Sequence, residues 1–311
     1  MVIAFTKKIA ELASRDKMLP SSDQPLHGEI NKSILAYLPL SKKQLLKQFP
    51  PRFINKNKNF LYSLHSVPQT SSSVDNVEDL KNSSLEHDKD DEIVYCRYKA
   101  FPRPKSYLKS FTNTCKLVLT QGIFKYDEKI AEDENLVKHW YLNFSHSQLF
   151  VAWKSSLFAQ DEMQVCEHPI LGSLRECVLK KSSENQNLTP LTVQTNATPI
   201  LIKNVDRKVS VNVNDFDLYG NKFSGASQEL IRQATTVLDP ITTRKSNILA
   251  IEAPTGGKGS YTLQDISYIF DTAYSGFRAC KLETERDLCM MPLLQSTNCK
   301  TVIHTGRFEI Y

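Results

Sequence analysis

An α/β fold, a sheet with helices on its faces, is what the sequence predicts for most of the chain. Three observations carry that prediction. From residue 93 on, short runs rich in β-branched and aromatic residues alternate with stretches of helical period. The clearest helical stretch repeats Ile266, Ile269, Phe270, Ala273, Tyr274 and Phe277 on one face. The 311 residues are 41% hydrophobic and 23% charged, which is ordinary for a chain that buries a sizeable core.

Taken in order, residues 1–65 read as a mainly helical accessory segment, broken at Pro20, Pro25, Pro39, Pro50 and Pro51. Leu35, Leu38, Leu45 and Leu46 would give it a small apolar face. Residues 66–92 are rich in Ser and acid and hold few large apolar side chains, so they read as a disordered linker that cannot bury enough surface to offset ordering entropy. Residues 93–311 then form the main α/β domain. IVYCRY (93–98), KLVLT (116–120), WYLNF (140–144) and TPILIKNV (198–205) are its expected strands. NILAIEA (247–253) and KTVIHTG (300–306) complete the set. Helices are expected over 155–165, over 224–238 and from 262 on, the last opened by Thr262 and Asp265 in a capping-box arrangement. Strand–helix alternation of this kind makes a mixed sheet flanked by helices. Ligands in such sheets gather where strands end and helices begin, which directs attention to the loops 145–156, 204–224, 253–262 and 305 onward.

Charge and cysteine usage narrow the classes of function. The net charge is +5, spread unevenly: residues 1–65 carry eleven Lys/Arg against four Asp/Glu, and residues 66–92 carry two against eight. The basic segment suits either a polyanion or a solvated lysine-rich surface. Seven cysteines (Cys96, Cys115, Cys166, Cys177, Cys280, Cys289 and Cys299) include no C-x-x-C pair, so reduced thiols are expected in place of a zinc site or a disulfide framework. The N-terminus lacks a signal-like apolar run, and no stretch approaches the ~20 apolar residues of a membrane span. The expected setting is the nucleus, the cytoplasm or both, away from any membrane.

Residue by residue, the signals are modest. Gln160, Asp161 and Glu162 open an expected helix just past a strand. Read alone, they are a solvated acidic face. Brought together and buried, two neighbouring carboxyls raise each other's proton affinity and suit general acid/base work on a sugar. Gly256, Gly257 and Gly259 lie between a strand and a helix, which suits a backbone nest for an anion and equally a tight turn. DLYGNKF (217–223) reads as a turn that could present Tyr219 or Phe223. His146 and His168 stand without partners at metal-ligand spacing, and Cys166 has no nucleophile constellation around it.

Four segments together resemble the poly(ADP-ribose) glycohydrolase family, whose catalytic domain is of macrodomain type. The family's D-F-A-N, glycine-rich loop, Q-E-E and P-E-L pattern is matched by Asn143-Phe144-Ser145-His146, Lys154-Ser155-Ser156, Gln160-Asp161-Glu162 and His168-Pro169-Ile170-Leu171. ILAIEAP (248–254), AYSGFR (273–278) and VIHTG (302–306) follow in family order, so the likeness covers residues 140–311. It implies a macrodomain-like mixed sheet that hydrolyses ribose–ribose O-glycosidic bonds in poly(ADP-ribose) without metal or cofactor. Its partners would be poly(ADP-ribose) or ADP-ribosylated proteins, with no direct nucleic-acid specificity. Glu162 falls on the acid/base position and Asp161 on its neighbour, with Gln160 towards the adenine side. Asn143, Phe144, His146, Tyr219, Gly256, Gly257 and Gly306 would line the ligand.

The sequence departs from the family in three places. Trp153-Lys154-Ser155-Ser156 replaces the glycine-rich loop, and His146 replaces a loop asparagine. Arg307-Phe308-Glu309-Ile310-Tyr311 stands where the family continues W-G-C-G-A-F-G-G. The expectation is a domain that lacks its last phosphate loop and the elements after it, either an active hydrolase or an impaired ADP-ribose-binding module.

Overall fold

The structure is a computed structural model that describes residues 32–65, 91–103, 137–184, 188–239, 243–252, 261–289 and 300–304. Its centre is a six-stranded mixed sheet. The first strand, β1 (Ile34–Ser41), is followed by helices α1 (Lys42–Gln48) and α2 (Lys56–Leu64) and by strands β2 (Glu92–Tyr98) and β3 (Val137–Ser145). Helices α3 (Gln160–Glu167) and α4 (Ile170–Glu184) come next, then the small hairpin β4 (Thr192–Val193) and β5 (Asn196–Ala197). Strands β6 (Ile200–Val205) and β7 (Val209–Val211) lead to helices α5 (Lys222–Gly225) and α6 (Gln228–Ala234). The chain continues through β8 (Thr235–Val237), β9 (Ser246–Glu252), α7 (Leu263–Cys289) and β10 (Lys300–His304).

The sheet order is β1-β2-β6-β9-β3-β10. β1 to β9 pair antiparallel along that order, whereas β9, β3 and β10 run parallel. Both faces are covered, as parallel strands require. Alternate residues sort cleanly. Tyr95, Tyr141, Ile202 and Ile248 join the core under α1 to α4. Cys96, Trp140, Leu142, Leu201 and Leu249 join the core under α7, with Tyr274, Phe277 and Cys280. Gly276 lets α7 approach the sheet, because a Cβ there would stand 2.9 Å from the Ile251 side chain.

The expectation of a mixed α/β sheet with helices on its faces holds. Several expected elements are corrected. Residues 34–41 are not helical: β1 pairs antiparallel with β2, burying Ala36, Leu38 and Leu40 in part while Leu35 and Tyr37 face out. The prolines read as helix punctuation mislead here, since Pro39 sits on an edge strand, where it is tolerated. Leu45, Phe53 and Leu61 enter the main core, so residues 34–64 are built into the domain. The helix expected from 155 begins at Gln160, because the Glu162 carboxylate turns back to accept from the Ala159 N–H. The helix expected over 224–238 breaks at Ser227, which caps α6 by accepting from the Leu230 N–H, and its β-branched end pairs with β7 as β8. Helix α4 goes beyond the sequence expectation. Thr262 and Asp265 do open α7, each accepting the other's N–H. KLVLT (116–120), most of the 66–92 linker, Gly256, Gly257 and Gly306 lie outside the described residues.

Candidate active site

Parallel β3 and β9 end side by side, with Ser145 across from Glu252, and α3 starts beside that end. Gln160, its first residue, docks the helix onto the strand. Its Nε2 donates to the Leu142 carbonyl at 2.7 Å and its Oε1 accepts from the Phe144 N–H at 3.0 Å. Among the described residues β10 pairs with β3 as far as Tyr141, and the Gln160 amide bonds the β3 backbone just beyond that point. Gln160 is thus committed to the β3 backbone, where the family likeness sets it towards an adenine.

Docking on β3 sets the two carboxyls that follow. Asp161 is 8% exposed and accepts from Asn143 Nδ2 at 3.0 Å, and Asn143 in turn accepts from the Ser145 hydroxyl. Asn143 is fully buried and stands behind Asp161 as its support. Glu162 is 3% exposed, with Oε2 accepting from the Ala159 N–H at 3.1 Å. Two backbone N–H groups, those of Ala159 and of Glu162 itself, thus act on the Glu162 carboxylate.

Burial dominates the electrostatics. Desolvation, reinforced by the charge of Glu162, pushes the Asp161 carboxyl up to about 7, against the pull of Asn143, Lys58 and Arg175. Desolvation also raises Glu162, partly offset by its backbone hydrogen bonds and by Lys58. Lys58, on α2, is fully buried, and its Nζ donates to the Trp153 carbonyl at 3.1 Å. Burial lowers its ammonium, while Cys166, Glu162 and Asp161 favour its charge. Arg175, on α4, is 7% exposed and also favours the charged form of Asp161.

The loop before α3 is held from three directions. The Trp153 ring packs on Gly172, where a Cβ would stand 2.8 Å away, and edge-on against Phe53 at 5.1 Å between centroids. Its carbonyl holds Lys58. Gly220, at φ 71°, exchanges two backbone hydrogen bonds with Phe158, and Phe158 stacks on Phe223 at 3.8 Å. That joins the Tyr219 loop to the approach of α3, with Tyr219 itself 40% exposed.

Other expected ligand residues sit apart from the acid pair. Phe144 packs in part against the α7 core, on the opposite face from Asn143. His146 is exposed just beyond β3, its Nδ1 3.0 Å from the Ser147 hydroxyl. His168 is buried, its Nδ1 on the Gln164 carbonyl and its Nε2 on the Ser246 hydroxyl, both at 2.9 Å. It ties the end of α3 to the start of β9. Glu252 is clasped by the Tyr268 hydroxyl at 2.8 Å and by Thr192. An open cleft of about 650 Å³ lies further along the sheet, lined by Leu35, Arg97, Lys99 and Thr198, and includes none of the acid pair's neighbours. Among the described residues, no group of His, Cys, Asp and Glu could hold a metal ion and no helix is long and apolar enough to cross a membrane.

Sequence reasoning misses Lys58 and Arg175. Lys58 sits in an Asn-Lys run that reads as solvated, although it precedes the core residue Leu61 by three positions and so shares its helix face. Arg175 lies between Leu174 and Cys177 in a helix whose apolar period was the available signal.

Chemically, the arrangement is a buried pair of carboxyls, one titrating near neutrality and the other with one oxygen anchored. Such a pair can give and take protons at physiological pH. No protein-family model matches this sequence, and no curated protein does either.

Proposed function

We propose that the protein hydrolyses ribose–ribose O-glycosidic bonds in poly(ADP-ribose), releasing ADP-ribose, with Glu162 as general acid/base. The observation that carries this reading is the buried Asp161–Glu162 pair at the shared end of two parallel strands. The ordered likeness to the glycohydrolase family supplies the substrate. Glu162 protonates the departing ribose oxygen as its bond to the anomeric carbon breaks, then takes a proton from the water that attacks that carbon. The anchored Oε2 fixes the carboxyl while the other oxygen transfers the proton. Asp161, steadied by Asn143, keeps negative charge from leaving the pair entirely and orients the ribose.

Glu162→Gln tests this directly. Glutamine retains an acceptor for the Ala159 N–H, so the helix start survives while proton transfer does not. Release of ADP-ribose from polymer, followed by chromatography, should fall at least ~100-fold, with binding by calorimetry nearly unchanged. Turnover at the original rate overturns the assignment.

A second reading is an ADP-ribose-binding module. It is favoured by Trp153, whose ring occupies the space against Gly172 and Phe53 in the loop where the family carries glycines. Calorimetric binding of ADP-ribose by the unaltered chain, with no turnover of polymer, supports this second reading.

A further inference from the structure

The most unusual group near the acid pair comes from the segment that reads as accessory. α2 is fixed in place before Lys58 is considered. Asn55 caps it, accepting from the Asn57 and Lys58 N–H groups at 2.9 and 3.1 Å. Asn57, 1% exposed, donates to the Phe223, Ser224 and Ala226 carbonyls around the end of α5. Phe53 packs edge-on against Trp153. The helix therefore presents Lys58 inward at a defined place, with no exposed surface.

An ammonium in that position needs both acceptors and negative charge. The Trp153 carbonyl supplies one acceptor. The acidic groups that act on it all come from α3: Asp161, Glu162 and Cys166. Burial holds the Cys166 thiol high, at about 12, so it carries no charge near neutrality. Arg175, from α4, is the other cation acting on Asp161. Two carboxyls thus act on the buried Lys58 through space, from a helix packed beside α2.

We propose that Lys58 is a positioning residue: its ammonium, hung from the Trp153 carbonyl, is the internal counter-ion of the Asp161–Glu162 pair and couples that pair to the seating of α2. The coupling has two ends. With Lys58 in place, one carboxyl stays ionised in the apolar interior, ready to act as base. With α2 displaced, the same interior favours both carboxyls neutral, and the base is lost. The Trp153 loop belongs to the same unit, since its carbonyl holds the lysine and its ring holds Phe53. The catalytic consequence rests on the hydrolase reading, whereas the counter-ion role does not.

The experiment uses the full chain with Lys58→Met, which keeps an apolar stem and removes the charge, and Lys58→Gln, which keeps a donor for Trp153 and also removes the charge. Carboxyl carbons of labelled Asp and Glu are followed by NMR across pH, beside the pH profile of polymer hydrolysis. Loss of the charge should raise the titration of the pair by about one unit or more in both variants. The acid limb of kcat should move with it, and KM should change less. An unshifted carboxyl titration in whichever variant folds overturns the proposal. A shifted titration in a chain that never turns over polymer upholds the counter-ion and removes the hydrolase reading. Turnover with unshifted carboxyls does the reverse.

Discussion

Two buried charged clusters flank the sheet, and they are built differently. On the α7 face, Glu283 is fully buried and accepts from Lys203 Nζ at 2.9 Å, from Arg286 Nη2 at 2.6 Å and from the Tyr98 hydroxyl. Lys203 also reaches Asp287 at 2.7 Å. Burial alone would lower the Lys203 ammonium, but Glu283 and Asp287 together outweigh it and hold it raised. Every charge there has a direct opposite partner. On the α3 face, Lys58 donates to a backbone carbonyl, and the two carboxyls it faces accept from Asn143 and a backbone N–H. The first cluster is compensated by contact and bolts a helix to strands. The second is compensated only through space, so burial prevails and pushes the Asp161 carboxyl up to about 7 and raises Glu162 as well. A buried acid that titrates near 7 is a poor structural device and a useful chemical one.

The largest expected effect comes from breaking the compensated cluster. Glu283→Gln leaves Lys203 and Arg286 without their shared carboxylate and should cost ~3–5 kcal/mol of stability in urea denaturation. Glu162→Gln removes a buried charge whose cap survives, and should cost less than ~1 kcal/mol while, on the proposed hydrolase reading, cutting polymer turnover at least ~100-fold. Equal losses in the two variants would erase the distinction between the clusters.

Two close-approach glycines give a matched pair of smaller effects. Gly172→Ala forces a Cβ against the Trp153 ring at 2.8 Å, and Gly276→Ala forces one against Ile251 at 2.9 Å. Each should cost ~1–3 kcal/mol by overpacking. Only Gly172→Ala should also move the carboxyl titration, because Trp153 carries Lys58 and Ile251 does not. A titration change in Gly276→Ala would mean that the two faces communicate through the sheet.

The raised Asp161 also sets a sign for pH. Its carboxyl ordinarily titrates near 3.8 and in the folded chain near 7, so the folded state holds the proton more tightly. The contribution to stability is fully present below 3.8 and is lost as pH rises through 7. His168 acts oppositely: burial lowers its imidazole from 6.5 to about 3, so its contribution is present above 6.5 and lost as pH falls towards 3. Asp161→Asn should therefore be more stable than the unaltered chain above neutrality, by ~2–4 kcal/mol at most, and equal to it near pH 3. Denaturant midpoints across that range decide it, and parallel curves for the two proteins contradict the Asp161 assignment.

What the sequence made legible follows from the range of each interaction. The strands around Tyr95, Leu142, Ile202 and Leu249 announce themselves because alternate side chains enter two cores, and β-branched runs bounded by turns carry that pattern locally. The start of α7 is legible for the same reason, since Thr262 and Asp265 satisfy each other within one turn. Residues 34–41 are misread because a proline on an edge strand and a proline ending a helix look alike until the neighbouring strand is known. Gln160, Asp161 and Glu162 are legible as residue types, but their partners Leu142, Asn143, Lys58 and Arg175 are set by tertiary contacts. Nothing local in an Asn-Lys run distinguishes a solvated lysine from a buried counter-ion.

That last distinction can be sharpened by the smallest change considered, removal of a helix cap. Asn55→Ala on α2 and Ser227→Ala on α6 delete side-chain acceptors of the same kind, each serving backbone N–H groups of a first turn. Both should cost ~1 kcal/mol. The N–H groups released on α2 belong to Asn57 and Lys58 themselves, so fraying there loosens the residue that anchors the helix and the one that faces the carboxyls. On α6 the released N–H belongs to Leu230, which is only partly buried and touches no charged group of the pair. Equal losses of stability should thus accompany unequal effects on protonation. The Asp161–Glu162 titration should rise by a few tenths of a unit in Asn55→Ala, in the direction expected for Lys58→Met, and stay unchanged in Ser227→Ala. If the two cap variants titrate alike, the seating of α2 has no hold on the acid pair, and the N-terminal segment contributes packing alone.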